Sequence, residues 1–367
     1  MTRAGIGPVL EPFPGVRRIA VVRGGGLGDL LFALPAIESL AAAYPEAEIV
    51  LIGSPLHREL LDGRPGPVGS VLTLPADTSD PDSGGAEAAE IAGRAGPFDL
   101  GLQLHGGGRW SNGFVRRLGV RWSVGCRTAD AAPLTRSVPF RYYQHETLRA
   151  LEVVGLAGAP PVALVPRLAV TRDDLSGAAD ALAGLPEPVL AVHPGATDPR
   201  RRWPAARFGE TIAAAVERAG GAAAVVGTAE EGGLVAEVVG AARDRLPAAR
   251  RAAVRPLAGR LTPGGLAGVL AGCRVLLAND SGPRHLAEAV GSPTVSVYWV
   301  GNVINAGPLG RSRHRVHISW TCRCPVCGVD CTDETAPRCA HDESFVAGVP
   351  IEPVLADVVE LSRRRRS

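Results

Sequence analysis

Asp280, Ser281, Gly282 and His285 stand together between an apolar run, Val275–Leu277, and a helical pattern that begins at Leu286. A strand running into a small-polar turn and then a helix aims free backbone N–H groups and the positive end of the helix dipole at one point. That geometry binds anions, phosphate above all. Ser281 and the Gly282 N–H are donors to oxygen, and His285 either donates to a phosphate or holds the loop. The competing reading makes Asp280 and Ser281 helix caps and turns His285 to the core. A second loop, His193–Pro204, carries Arg200, Arg201 and Arg202 in succession after a strand. Guanidinium groups at the carboxyl end of a parallel strand are placed to clamp a diphosphate through charge-assisted bonds. Trp203 and Pro204 read as packing and helix initiation, His193 as a satisfied strand-end residue. A third junction, Gly24–Gly25–Gly26–Leu27–Gly28–Asp29, follows the strand Ile19–Val22. Its glycines let a backbone or ligand approach closely, and Asp29 is either a helix cap or a working acid. The spacing is not G-x-G-x-x-G, and no acid ends the strand Ile49–Gly53, so a dinucleotide fingerprint is disfavoured.

Five of the seven cysteines fall between Cys322 and Cys339. Cys324, Cys327, Cys331 and Cys339, with His341 nearby, are dense enough for a structural zinc site. Packed free thiols are the plain alternative, and disulfides are disfavoured in the cytoplasm. From Arg109 to Arg141 there are seven Arg and one Asp. This basic stretch suits an anionic ligand as well as a solvated surface. Arg109 and Arg116 are its candidate contacts.

These sites need elements to hold them. The first half alternates expected strands (Arg18–Arg23, Glu48–Gly53, Val71–Leu74, Asp99–Leu104, Val120–Val124) with helices (Asp29–Ala43, Glu87–Arg94, His145–Gly155). Continuous apolar strands between helices imply a parallel sheet covered on both faces. A Pro/Gly/Asp-rich loop lies within Gly63–Gly85, and composition shifts around Ala157–Glu187. The pattern then restarts: strands Val189–His193, Ala222–Gly227, Ala253–Leu257, Val275–Ala278 and Thr294–Tyr298, helices Pro204–Arg218, Glu230–Ala242, Pro263–Ala271 and Leu286–Val290, and a last helix Pro353–Leu361 before Arg363–Arg366. The fold class is therefore α/β, with two Rossmann-like doubly wound domains. Residues 1–170 form the first and residues 171–345 the second, which includes the Cys-rich segment. Residues 346–367 form a helix and tail expected to pack back toward the first. The 367 residues suffice for two such domains.

The chain is 46% hydrophobic and 21% charged, which fits a globular protein. A formal net charge of +2 gives no general attraction to nucleic acid. All 39 basic residues are Arg, a bias we read as G+C-rich codon usage. No apolar run approaches the ~18–20 residues of a membrane span, and Met1–Pro14 lacks a secretory h-region, so the cytoplasm is the expected location. Any membrane contact would be peripheral, through the arginine tail.

Three groups of residues carry a resemblance. They are Gly28-Asp29-Leu30-Leu31 with Leu34-Pro35-Ala36, then Pro194-Gly195-Ala196 with Arg202-Trp203-Pro204, then Asn279 to Pro283 with His285-Leu286-Ala287. In order and approximate spacing they resemble glycosyltransferase family 9, the heptosyltransferase family, over nearly the whole chain. The resemblance implies a GT-B architecture with the active site in an interdomain cleft, residues 1–170 binding the acceptor, with Arg109 and Arg116 among its contacts, and residues 171–345 binding the nucleotide-sugar. It implies inverting, metal-independent transfer of a heptose-like sugar from an ADP-activated donor to an acceptor hydroxyl, with no cofactor required. The acceptor would be a lipopolysaccharide core or, given the Lys-free composition, a small natural product. By the same resemblance Asp29 is the general base and Gly28 lies at the acceptor. Thr197 and Arg201 bind donor phosphate, where the family has Thr and Lys, and Arg202 assists. Asp280, Ser281, Gly282 and His285 lie near the phosphates and sugar. Glu230 or Glu231 matches a ribose-binding acid, and Leu261, in the turn Gly259–Thr262, the adenine contact. A non-catalytic nucleotide-sugar-binding regulator and an NAD-dependent oxidoreductase are the alternatives.

Overall fold

The computed structural model describes residues 6–74 and 85–364. The chain divides into two compact units, Met1–Ala169 and Val170–Ser367. Most of the expected loop after Leu74 and the Arg365–Arg366 end of the basic tail lie outside the described residues.

The first unit contains β1 (Arg18–Val22), α1 (Leu27–Ala43), β2 (Glu48–Gly53), α2 (Pro55–Leu61), β3 (Ser70–Thr73), α3 (Gly85–Ala95), β4 (Leu100–Gln103), α4 (Ser111–Arg117), β5 (Trp122–Arg127), β6 (Arg136–Pro139) and α5 (Glu146–Leu156). The second contains α6 (Arg172–Leu182), β7 (Val189–His193), α7 (Ala205–Ala219), β8 (Ala222–Val225), α8 (Gly232–Arg245), β9 (Val254–Pro256), α9 (Pro263–Gly272), β10 (Val275–Asn279), α10 (Gly282–Ala289), β11 (Thr294–Trp299), α11 (Val300–Ala306), β12 (His314–Ser319) and α12 (Ile351–Arg363).

Each unit is built on a six-stranded sheet, ordered β3-β2-β1-β4-β5-β6 in the first and β9-β8-β7-β10-β11-β12 in the second. Every strand pairing is parallel. The central strands read as unbroken apolar runs because both faces are covered. Ile19 pairs with Ile49 on one side and Leu100 on the other, and Leu277 with Val295 and Val192. The strand order is that of the doubly wound Rossmann fold, and it reverses between β1 and β4 and between β7 and β10. At such a switch point adjacent loops diverge and leave a crevice at the carboxyl edge. Gly24–Asp29 leaves β1 at one of these points. His193–Arg202 and Asp280–His285 leave β7 and β10 at the other.

α1 is apolar nearly all round, with Leu30 to Ile37 all buried, and it packs against α5. The sequence reading missed α2, α4, β6, α6, α11 and β12. Thr171 caps α6, its Oγ1 accepting the Asp174 N–H at 3.2 Å while Asp174 Oδ2 accepts the Thr171 N–H at 2.9 Å. The expected return of the last helix to the first domain is not what its apolar face does. Val354, Leu355, Val358 and Leu361 enter the core of the second unit with Phe208, Ile212 and Leu277. No helix among the described residues is long and apolar enough to cross a membrane.

Candidate active site

In the first unit the junction after β1 is organised by Arg23, whose side chain is only 5% exposed. Its Nε donates to the Asp29 carbonyl at 2.9 Å, one Nη to Asp29 Oδ1 at 2.8 Å and to Glu146 Oε2 at 3.2 Å, and the other Nη to the Leu104 carbonyl. Asp29 Oδ2 accepts the Gly26 N–H at 2.9 Å. One oxygen is thus aimed by a buried arginine and the other by the loop. The side chain remains 46% exposed, more open than a desolvated base would be. Gly25 holds φ +90°, and a Cβ there would run into the Asp29 carboxylate, so this turn is specific to glycine.

Two histidines that sequence reasoning missed flank the junction. His57 is fully buried. Its Nδ1 accepts the Ser54 N–H at 3.2 Å, so Nε2 is the donor to the Gly26 carbonyl at 3.1 Å. His105 follows β4 and its ring lies 5.3 Å from the Trp110 ring. Burial pushes both imidazoles below their ordinary value. Arg23 pushes in the same direction, and Asp29 opposes it. No local motif marks Arg23, His57, His105 or Glu146; only strand order brings them together.

Gly28 sits half-buried in the first turn of α1. Arg109, exposed after β4, pairs with Asp130 at 3.6 Å. Arg116 lies in the last turn of α4, which follows β4.

The second unit assembles most of the remaining candidates at the carboxyl edge of β7, β8 and β10. Asp280 is buried, and its Oδ2 accepts from Arg201 Nη1 at 3.0 Å and Asn302 Nδ2 at 2.7 Å. Oδ1 accepts from His285 Nε2 at 3.1 Å, and Arg284 donates to His285 Nδ1 at 3.0 Å, which fixes a neutral imidazole tautomer. Burial would raise the Asp280 carboxyl, but His285, Arg201 and Asn302 hold it below the usual carboxylate range. Burial pushes His285 down as well, with Asp280 opposing. The pair is therefore carboxylate and neutral imidazole. Asp280 and His285 form a buried mount for Arg201. Arg201 gives one donor to Asp280 and, 21% exposed, keeps the rest of its fork for an anion.

Of the three arginines, Arg200 is tied to Asp198 through three donors, its Nη2 lying 2.6 Å from Oδ2. Arg202 Nε donates to the Ala196 carbonyl at 2.9 Å. Thr197 is exposed beside them. Asn279 sews the two loops together, accepting the Trp203 N–H at 3.0 Å and donating to the Pro194 carbonyl at 2.7 Å.

Ser281 heads α10 and contacts His193 Nδ1 at 2.9 Å, while His193 Nε2 contacts Glu231 Oε2 at 3.2 Å. Glu231 also accepts the Thr228 N–H at 2.9 Å. Burial would raise its carboxyl, but His193, the Thr228 N–H and Arg202 hold it low. Of the neighbouring acids Glu231 turns inward, whereas Glu230 is exposed and bonds back to Thr228. A Cβ at position 195 would meet Glu231 Oε1, so any larger residue there must move the Glu231 carboxylate. Leu261 follows β9 at the same edge, in a turn where Gly259 holds φ +65° and donates to the Gly227 carbonyl at 2.9 Å.

Residues 94–327 match the model of glycosyltransferase family 9 (heptosyltransferase). The chain belongs to glycosyltransferase family 9. It is 28% identical over 323 residues to lipopolysaccharide heptosyltransferase 1 of Pseudomonas aeruginosa, an alignment covering 84% of this chain and 86% of that one. The fold is shared with the family 9 glycosyltransferase of Veillonella parvula at a TM-score of 0.76 and 17% identity, over 96% of this chain and 99% of that one. It is shared with E. coli ADP-heptose lps heptosyltransferase II at 0.71 and 19%, over 94% and 98%. The E. coli heptosyltransferase solved with ADP aligns at 0.60 and 21%, over 82% and 93%. This family 9 chain is thus a glycosyltransferase of GT-B fold class. The oxidoreductase and regulator alternatives fall away.

Proposed function

We propose that this glycosyltransferase moves a heptose-like sugar from an ADP-activated donor to an acceptor hydroxyl, with inversion and with no metal in the transfer step. The observation that carries the reading is the Asp280–Arg201 mount, which leaves one guanidinium beside the N-terminus of α10. A departing nucleoside diphosphate is an anion. Arg201, Arg202, Ser281 and the Gly282 N–H supply positive charge and donors for it, so the protein itself does the neutralising a cation would otherwise do. Glu231, turned inward beside the turn with Leu261, suits a ribose hydroxyl.

Asp29 is the proposed base. As the anomeric carbon gains oxocarbenium character, the acceptor hydroxyl must lose its proton, and an aimed carboxylate takes it. Arg23 fixes the direction of Asp29 Oδ1 without covering the side chain. Arg109, at the edge of β4, is the better-placed basic residue for an anionic acceptor. A solvated pair with Asp130 is worth little, so an acceptor anion can displace it.

A thermal-shift series with ADP, UDP, GDP and their sugars tests the donor. A ligand that binds only the native state raises its apparent stability. Preferential stabilisation by ADP species is expected; equal or greater stabilisation by UDP or GDP would overturn the donor assignment.

A further inference from the structure

Cys324, Cys327, Cys339 and His341 each bring one ligand atom within 4.8 Å of the others. Cys324 Sγ lies 3.7 Å from His341 Nδ1. A tetrahedral zinc with Zn–S of about 2.3 Å and Zn–N of about 2.05 Å needs sulfur and nitrogen about 3.6 Å apart. The first two cysteines are held by a tight turn. The Gly328 N–H donates to the Cys324 carbonyl at 2.9 Å, the Cys324 N–H to the Val329 carbonyl at 2.9 Å, and Gly328 adopts φ +73°. Cys331, the sequence candidate for the fourth ligand, is drawn elsewhere. Its N–H pairs with the Cys322 carbonyl at 2.8 Å and its Sγ faces the Val329 carbonyl at 3.5 Å.

The cluster is stitched to the arginine loop on both sides. Arg338, next to Cys339, reaches Asp198 Oδ1 at 3.6 Å, and Asp198 holds Arg200. Just beyond His341, Ser344 Oγ donates to the Arg202 carbonyl at 2.6 Å. The Phe345 N–H donates to the Arg200 carbonyl at 2.7 Å, and the Arg200 guanidinium lies over the Phe345 ring at 5.2 Å. The cysteine-bearing stretch that leads into these anchors exposes large apolar side chains, Trp320 and Val326, instead of packing them. A cross-link inside it would fix both anchors at once.

We propose that Cys324, Cys327, Cys339 and His341 bind one zinc ion, and that this ion fixes the segment on which the Asp198–Arg202 loop is mounted. Three thiols give up their protons to solvent, and the soft N/S donor set suits zinc. Only the consequence for donor binding rests on the glycosyltransferase reading.

The test uses the full-length protein and no nucleotide. Metal analysis by mass spectrometry is expected to give about one zinc per chain. Cobalt(II) added to chelator-stripped protein is expected to give tetrahedral ligand-field bands with thiolate charge transfer. His341→Ala and Cys339→Ser lose the ion, and Cys331→Ser keeps it. Hydrogen exchange at the Arg201 and Arg202 amides, which donate to the Asp198 and Pro199 carbonyls, rises about tenfold on stripping and is restored by zinc alone. Protein that holds no zinc after supplementation, or that holds iron instead, overturns the site. Loss of the ion in Cys331→Ser overturns the ligand set, and unchanged exchange at residues 201 and 202 overturns the mounting role.

Discussion

Replacing Asp280 by Asn preserves the shape of a side chain that is 4% exposed and removes its charge. The carboxylate accepts from three groups, Arg201 at 3.0 Å, Asn302 at 2.7 Å and His285 at 3.1 Å. An amide has one acceptor oxygen, so at least one of these donors would face an N–H. A charged hydrogen bond contributes about 1.5–3 kcal/mol, and that is the hold lost on Arg201. An opposite effect acts on an anion bound nearby. Removing a negative charge about 7 Å away, at an effective dielectric of about 40–80, eases repulsion by about 0.6–1.2 kcal/mol. The positioning loss wins by about 0.3–2.4 kcal/mol, so ADP binds about two- to fiftyfold more weakly. Calorimetric titration with ADP at fixed ionic strength measures this, with circular dichroism as the check on folding. Arg201→Met should weaken ADP binding as well, and adding it to Asp280→Asn should cost little more, because both changes remove one device. Unchanged or tighter ADP binding in folded Asp280→Asn would refute the argument that Asp280 serves the diphosphate through Arg201.

Three further outcomes are expected. Burial pushes the His314 imidazole down to about 4, with Glu288 opposing and Arg284, Arg313 and Arg315 assisting. The unfolded chain therefore takes up the proton first as pH falls, and stability present above about pH 6.5 declines by about 3 kcal/mol by pH 4. In urea unfolding against pH, His314→Gln should flatten that decline. Gly195→Ala sets its methyl against the Glu231 carboxylate and should swing it off His193, lowering donor affinity by titration while stability in the same assay falls by no more than about 1 kcal/mol. Thr171→Ala removes the cap of α6 and should cost about 1 kcal/mol with ADP affinity unchanged.

The parallel sheets were legible because their central strands are apolar throughout and end in Gly- or Asp-bearing turns. The missed strands β6 and β12 sit at sheet edges, where one side meets no partner strand and Arg136, His314 and Arg315 break the apolar run. α2 and α4 are seven residues each, too short to show periodicity. α6 was hidden by composition, although Thr171 and Asp174 form a readable capping box. In the site, the residues on the loops themselves could be named. Arg23, His57, His105, Glu146 and Asn302 could not, because they converge only through strand order. Cysteine spacing pointed to Cys331, but chain direction after the Gly328 turn brings His341 in its place. Glu231 was separable from Glu230 only once α8 was seen to start at Gly232, which turns Glu231 back toward His193.

The most direct measurement is ADP-heptose transfer by Asp29→Asn, with ADP affinity measured on the same preparation. Loss of the base should lower turnover by ~10²–10⁴-fold and leave the ADP dissociation constant within about twofold, since the groups proposed to hold the donor belong to the second unit. Near-normal turnover, or an equal loss of ADP affinity, would contradict the assignment of proton removal to Asp29 and of diphosphate binding to Arg201 and α10.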